Sequence, residues 1–211
     1  VGPQILADGD LTQERASRDG SLVSINAHGY YQEPVYRGNV FTMVLAATAT
    51  GNAAGNLVGA GAAAAVQFAL FNPPASGRLL VLLRFRLGVV SGTPVGGPVF
   101  HGYYVGSTSV AGTGTILNNV IGSGAASVAK GFATAAQAGT ALTGGPAVQT
   151  HMLTNFSTTA TAQASPYLVS CEDLLDGALI VPQGGGWAPL WAAAGTSVLC
   201  GYSITWEEIP V

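Results

Sequence analysis

Charge is what this sequence has least of. Asp, Glu, Lys and Arg together make up 8% of the 211 residues, whereas 48% are hydrophobic; an ordinary globular domain carries roughly 25% charged residues. A monomer so poor in ionic side chains would show water wide apolar or Ala/Gly/Thr areas, and such areas usually mark contacts with other subunits. The composition therefore predicts an oligomer. Seven basic residues against ten acidic ones, a net charge of −3 and a pI near 5.4 provide no electrostatic footprint for DNA or RNA. No nucleic-acid partner is expected.

Long hydrophobic runs are missing too. None approaches the roughly 18 residues needed to span a bilayer, and the first residues lack the basic-then-apolar pattern of a signal peptide. The chain reads as soluble, with no membrane partner. Cysteine is scarce: Cys171 and Cys200 allow one bridge but exclude a disulfide scaffold. Two buried thiols are the favoured reading, because Cys200 alternates in phase with Val198, Tyr202, Ile204 and Trp206.

Catalytic signatures are absent as well. His28, His101 and His151 are isolated, with no His-x-x-x-His and no cysteine pair at ligand spacing, so structural roles are expected for them. No Gly-x-Ser-x-Gly elbow occurs. Gln183-Gly-Gly-Gly186 lacks the Lys-Ser/Thr of a phosphate loop and reads as a hairpin turn needing positive φ. Glu207 and Glu208 are adjacent, so on a strand they face opposite ways and cannot act as a glycosidase pair. Glu172, Asp173 and Asp176 lack calcium-loop spacing and read as a solvated acidic turn. No catalytic residue, cofactor or metal site is assigned, and the chain is expected not to be an enzyme.

What is present is strand. The strongest segment is Arg78 to Val90, RLLVLLRFRLGVV. At a period of two, Leu79, Val81, Leu83, Phe85, Leu87 and Val89 share one face, expected to be core. Arg78, Leu80, Leu82, Arg84 and Arg86 share the other. A tight turn at Asn72 to Gly77 feeds this central strand. Arg84 and Arg86 lie two apart on one face and could meet an acidic group such as Glu207, or a carboxylate on a neighbouring subunit.

Other strands are expected at Gln4 to Ala7, Ser21 to Ala27, Val40 to Thr50, Val66 to Phe71, Val99 to Val105, Thr113 to Ile121, Ala147 to Thr154, Ser165 to Ser170, Gly177 to Pro182 and Ser197 to Ile209. EDLLD, between Cys171 and Gly177, reads as a helical turn or tight connection. Small-residue tracts at Gly51 to Ala65 and Gly122 to Gly145 read as places where subunits approach closely. The polar opening, Val1 to Gly20, reads as an N-terminal arm, and residues 21–211 as one domain. Tyr30, Tyr31 and Arg37 stand in an irregular stretch and are candidate intersubunit contacts, with Arg84 and Arg86. Many short strands between Gly/Pro turns, with almost no amphipathic helix, predict an all-β antiparallel sandwich, most plausibly a jelly roll.

Three stretches together carry a resemblance: Tyr36-Arg-Gly-Asn-Val-Phe41, Phe68-Ala-Leu-Phe-Asn-Pro-Pro-Ala-Ser-Gly77, and Trp206-Glu-Glu-Ile-Pro210. Their order resembles small β-sandwich structural proteins of tailed-bacteriophage virions. The resemblance implies a non-enzymatic virion component, often a homotrimer, assembled in the host cytoplasm with the major capsid protein or other virion proteins as partners. A cement or decoration protein that bridges capsid subunits suits a compact domain with an arm. The alternative is a tail or fibre component; a fibre would be expected to show repeats, and none is visible. The competing class is a receptor- or carbohydrate-binding module with Tyr103, Tyr104, Trp187 and Trp191 as its platform, against which core packing of those rings is the favoured reading.

Overall fold

A computed structural model describes residues 31–45, 52–53, 68–91, 97–105, 114–132, 147–156, 170–191 and 199–211. The expected arm, the strands at Gln4 to Ala7 and Ser21 to Ala27, His28, Tyr30 and most of Gly51 to Ala65 lie outside the described residues, as do 133–145 and 165–169. The chain divides into two units, Val1–Glu33 and Pro34–Val211. Every described strand belongs to the second.

After one short helix, α1 (Gln32–Tyr36), the chain is strand: β1 (Val40–Leu45), β2 (Asn52–Ala53), β3 (Ala69–Phe71), β4 (Arg78–Ser91), β5 (Gly97–Val105), β6 (Ile116–Asn118), β7 (Lys130–Phe132), β8 (Ala147–Phe156), β9 (Ser170–Val181), β10 (Gly185–Trp191) and β11 (Leu199–Pro210). They form two antiparallel sheets, in the order β6-β1-β11-β4-β9 with β2 beside β11, and β7-β3-β10-β5-β8. The expected all-β sandwich is what the chain adopts. Its long strands pair as a doubled ribbon, β1 with β11, β3 with β10, β4 with β9 and β5 with β8. The ribbon is rolled so that β11 also meets β4 and β10 also meets β5. Among the described residues no helix is long and apolar enough to cross a membrane.

The core lies between the sheets. In β11, Tyr202, Ile204 and Trp206 are buried as the alternation predicts, and Glu208 is buried on the same side while Glu207 faces away. Phe68 stacks on Tyr202 with ring centroids 5.3 Å apart, and Phe85 meets Trp187 edge-on at 5.2 Å. Full burial of such side chains is worth about 1.5–3 kcal/mol each.

The central strand departs from strict alternation. Leu80 and Leu82 are fully buried, and so are Leu83, Phe85 and Leu87, whereas Leu79 and Val81 are only half-buried. The cause is a bulge. Trp206 pairs with Leu82 and Thr205 with Arg84, so nothing on β11 stands opposite Leu83. One extra residue switches which positions face inward. The sequence reading that put Leu79 and Val81 inward and Leu80 and Leu82 outward is thus corrected for that half of β4.

A second correction concerns EDLLD. It is neither a helical turn nor a solvated acidic turn but the middle of β9, with Glu172 opposite Arg86 and Asp173 opposite Phe85. The adjacent acids therefore leave the strand on opposite faces and share no cation. In the expected 113–121 strand only Ile116–Asn118 is strand, and the described part of the second small-residue tract ends in β7.

Gln183–Gly186 makes the expected hairpin turn between β9 and β10, with Gly184 at φ 74. Asn72 fastens this hairpin to the turn that feeds β4. Its backbone N–H donates to the Gly185 carbonyl (2.9 Å) and its carbonyl accepts from the Gly184 N–H (2.8 Å). Its buried side-chain amide donates to the carbonyls of Arg78 (2.9 Å) and Val181 (3.1 Å).

Candidate functional site

Among the described residues, the outward face of the six-stranded sheet brings together Arg84, Arg86, Glu172 and Glu207 with five exposed apolar side chains. Its pleat arranges them in rows across the strands. One row runs Leu174, Arg84, Thr205, Thr42, Leu117; the next runs Glu172, Arg86, Ser203, Val44. On the other side of the first row run Ile180, Val81 and Glu207, with the buried Val40 beside them, and then Leu79 and Ile209. Inward-pointing partners of these residues fill the core, so the same alternation that builds the sandwich sets this surface.

Arg84 and Arg86, paired in the sequence reading with Glu207 or a neighbour's carboxylate, both meet Glu172 of β9. Arg84 Nε lies 3.0 Å from Glu172 Oε1, and Arg86 donates to the same oxygen from Nε and Nη2, each at 3.1 Å. All three side chains are about half exposed, so each contact is worth at most about 1 kcal/mol. One carboxylate shared by two guanidiniums leaves the cluster net positive. Beside it, Thr42 and Thr205 share a hydroxyl hydrogen bond of 3.0 Å, and Thr42 donates to Asn119 Oδ1 at 2.7 Å.

The face is apolar around this cluster. Leu117 is 61% exposed and Leu174 56%, and Val44, Ile180 and Ile209 are also substantially bare. Sequence inspection missed these five as a group, because only the strand order brings β1, β6, β9 and β11 onto one surface. Arg37 lies exposed in the α1–β1 turn and Tyr31 is half-buried just before α1. Neither belongs to the rows, and Tyr30 lies outside the described residues.

Glu207 sits in the row Ile180, Val81, Glu207, Val40, and desolvation there pushes its carboxyl up from the ordinary value of 4.5. The unfolded chain then releases this proton before the folded one. Stability is fully present below pH 4.5 and declines as pH rises through the window between 4.5 and the raised value. Glu207→Gln removes the penalty. Thermal melts are expected to show the variant more stable at neutral pH, with the difference vanishing below pH 4. A gap that persists there, or a less stable variant at pH 7, contradicts this origin.

Two polar clusters lie inside the sandwich. His101 is fully buried; its Nε2 lies 2.9 Å from Asp173 Oδ2, and Trp187 Nε1–H donates to its Nδ1 at 3.0 Å. An indole nitrogen can only donate, so Nδ1 must accept and the ring proton sits on Nε2, aimed at the carboxylate. With both ring nitrogens engaged, the neutral tautomer is fixed, and the ring ties β5 to β9 and β10. The second cluster is centred on Glu208, which accepts from the Ser127 hydroxyl, the Val128 N–H (3.1 Å) and Trp206 Nε1–H (3.4 Å). It ties β11 to the segment leading into β7. Among the described residues no group of three His, Cys, Asp or Glu side chains could hold a metal ion.

Of the aromatic rings weighed as a binding platform, Trp187 is core, and the side chains of Tyr104 and Trp191 lie outside the described residues. Tyr103 is exposed. No protein-family model, curated protein or solved structure matches this chain.

Proposed function

We propose that this protein is a non-enzymatic structural subunit that assembles through the outward face of its six-stranded sheet, and specifically a virion cement or decoration protein that forms trimers and bridges capsid subunits. The observation that carries the reading is the bare apolar rim of Val44, Leu117, Leu174, Ile180 and Ile209 around the Arg84–Glu172–Arg86 cluster. Apolar side chains concentrated on one ordered sheet face, with a net positive centre, suit a partner surface that is apolar with an acidic patch.

The strand order supports the virion form of the proposal. Counting only β1, β3, β4, β5, β8, β9, β10 and β11, the sheets run first-eighth-third-sixth and second-seventh-fourth-fifth. We read this order as that of a jelly roll, an architecture of capsid, lectin and cupin domains. Fold alone does not assign a function, so the weight rests on the face and on the low charge.

Size-exclusion chromatography with light scattering tests the proposal. The chain of 21.2 kDa is expected to elute as a trimer at micromolar concentration. Leu117→Lys/Leu174→Lys, placed on edge strands where lysine is well tolerated, is expected to elute as a monomer with an unchanged far-UV circular dichroism spectrum. A wild-type monomer at every concentration overturns the assembly reading. A double variant that stays trimeric overturns the choice of face.

A further inference from the structure

The inward face of the five-stranded sheet is not closed along its whole length. Tyr103 stands directly opposite Trp187 in the β5–β10 ladder, and opposed residues project to the same side of a sheet. Trp187 is 3% exposed, yet Tyr103 is 42% exposed. An aromatic ring on the inner side of a sandwich, nearly half bare, marks a place where the facing sheet does not cover it.

The gap lies beside an irregularity in β9. That strand pairs with β4 up to Leu174 and again from Leu179, and residues 175–178 between them have no opposite number. Asp176 and Gly177 both take left-handed backbone, φ 45 and 85, which bends a strand out of its sheet. Between this stretch, the β9–β10 turn and Tyr103 is a cavity of about 380 Å³, within the size range of small-molecule sites. Leu82 and Leu179 line one side, Tyr103 and Trp187 the other, and Gln183 with the following glycines closes the end.

The lining selects the chemistry. None of its residues is charged, so an ionic ligand would give up its hydration with no countercharge to replace it. A sugar ring fits poorly for a related reason. Its hydroxyls need partners when buried, and the side chains offer only the Gln183 amide and the Tyr103 hydroxyl. Of the turn's backbone groups, Gly184 N–H is engaged with Asn72, Gly185 N–H with Pro182 and the Gly185 carbonyl with Asn72.

We infer that this gap is a binding site for an uncharged, predominantly apolar ring compound of one or two fused rings, stacked against Tyr103 with any polar end toward Gln183. The site faces the inner side of the sandwich, and Tyr103 lies apart from the outward face proposed for assembly, while Ile180 of that rim also lines the cavity.

The neutral dye N-phenyl-1-naphthylamine, titrated into the full chain, reads the site through its emission and through energy transfer from tryptophan. Saturable binding of one dye per chain is expected. Tyr103→Phe is expected to retain it and Tyr103→Ala to weaken it about tenfold, the scale of one lost aromatic contact. Leu179→Trp, which fills the cavity from its wall, is expected to abolish binding. Anilinonaphthalene sulfonate, with a similar ring system and a negative charge, is expected to bind at least about tenfold more weakly, and methyl glucoside to displace nothing. Unsaturable binding, equal binding by Tyr103→Ala, equal binding of the sulfonate, or displacement by the glucoside each overturns the inference. Should Leu179→Trp fail to fold, the two Tyr103 variants decide it.

Discussion

Replacing His101 by leucine is expected to cost the fold about 3 kcal/mol, the lower end of the range for leaving two buried hydrogen-bond partners unsatisfied. The imidazole is fully buried between an indole N–H and a carboxylate. Leucine fills much of the same space but leaves both groups facing a side chain that can neither accept nor donate. The lower end applies because Asp173 retains 19% side-chain exposure and can draw in some water. Asp173→Asn is the informative control. Its amide oxygen still accepts from Nε2–H, so the loss should be near that of one weakened hydrogen bond, about 1 kcal/mol. Urea denaturation read at the midpoint, with unchanged slope, separates the two. Equal losses in both variants, or a His101→Leu protein as stable as wild type, would contradict the hydrogen-bonded chain through Trp187, His101 and Asp173.

Trp206→Ala is expected to cost about 3–5 kcal/mol, the range for emptying a large aromatic site in a core. Trp206 is the largest fully buried side chain among the described residues, stacks on Phe41 at 6.2 Å and lies opposite Leu82 in the ladder. It also donates to Glu208, whose other partners hold the chain ahead of β7. Alanine therefore opens a cavity and takes one donor from a buried carboxylate. Trp206→Phe keeps most of the volume and loses only the long 3.4 Å hydrogen bond, so its cost should stay below about 1.5 kcal/mol. Calorimetric melts of the two variants test this. An alanine variant within about 1 kcal/mol of wild type would mean that β11 does not carry Trp206 into the core.

β11 was legible because its period of two is unbroken from Tyr202 to Glu208, and the opposite orientations of Glu207 and Glu208 followed from the same rule. The Gln183–Gly186 turn was legible because local backbone demands select glycine there. The inward face of β4 was only half legible. The bulge at Leu83 depends on what β11 and β9 offer opposite it, and a run of apolar residues on both parities conceals an extra one. EDLLD was misread as a turn because its acids looked solvated; Glu172 and Asp176 are exposed, but Asp173 is satisfied by His101, 72 residues away. The outward apolar face was invisible for a similar reason. Val44, Leu117, Leu174 and Ile209 come from four strands separated by tens of residues, and only the rolled ribbon sets them side by side.

The outward face also explains how a chain with so few charges can be built without conflict. Most of its ionic side chains among the described strands either pair across this face or serve buried polar clusters, and few are left to keep an apolar rim in water. In the function proposed here, assembly covers that rim.

Hydroxyl-radical footprinting, with mass-spectrometric readout at concentrations above and below dissociation, measures this most directly. The account predicts that Leu117, Leu174 and Ile180 are oxidised markedly more slowly in the assembled protein, while Tyr103 reacts equally in both. Unchanged oxidation of those three side chains in the assembled state would contradict it.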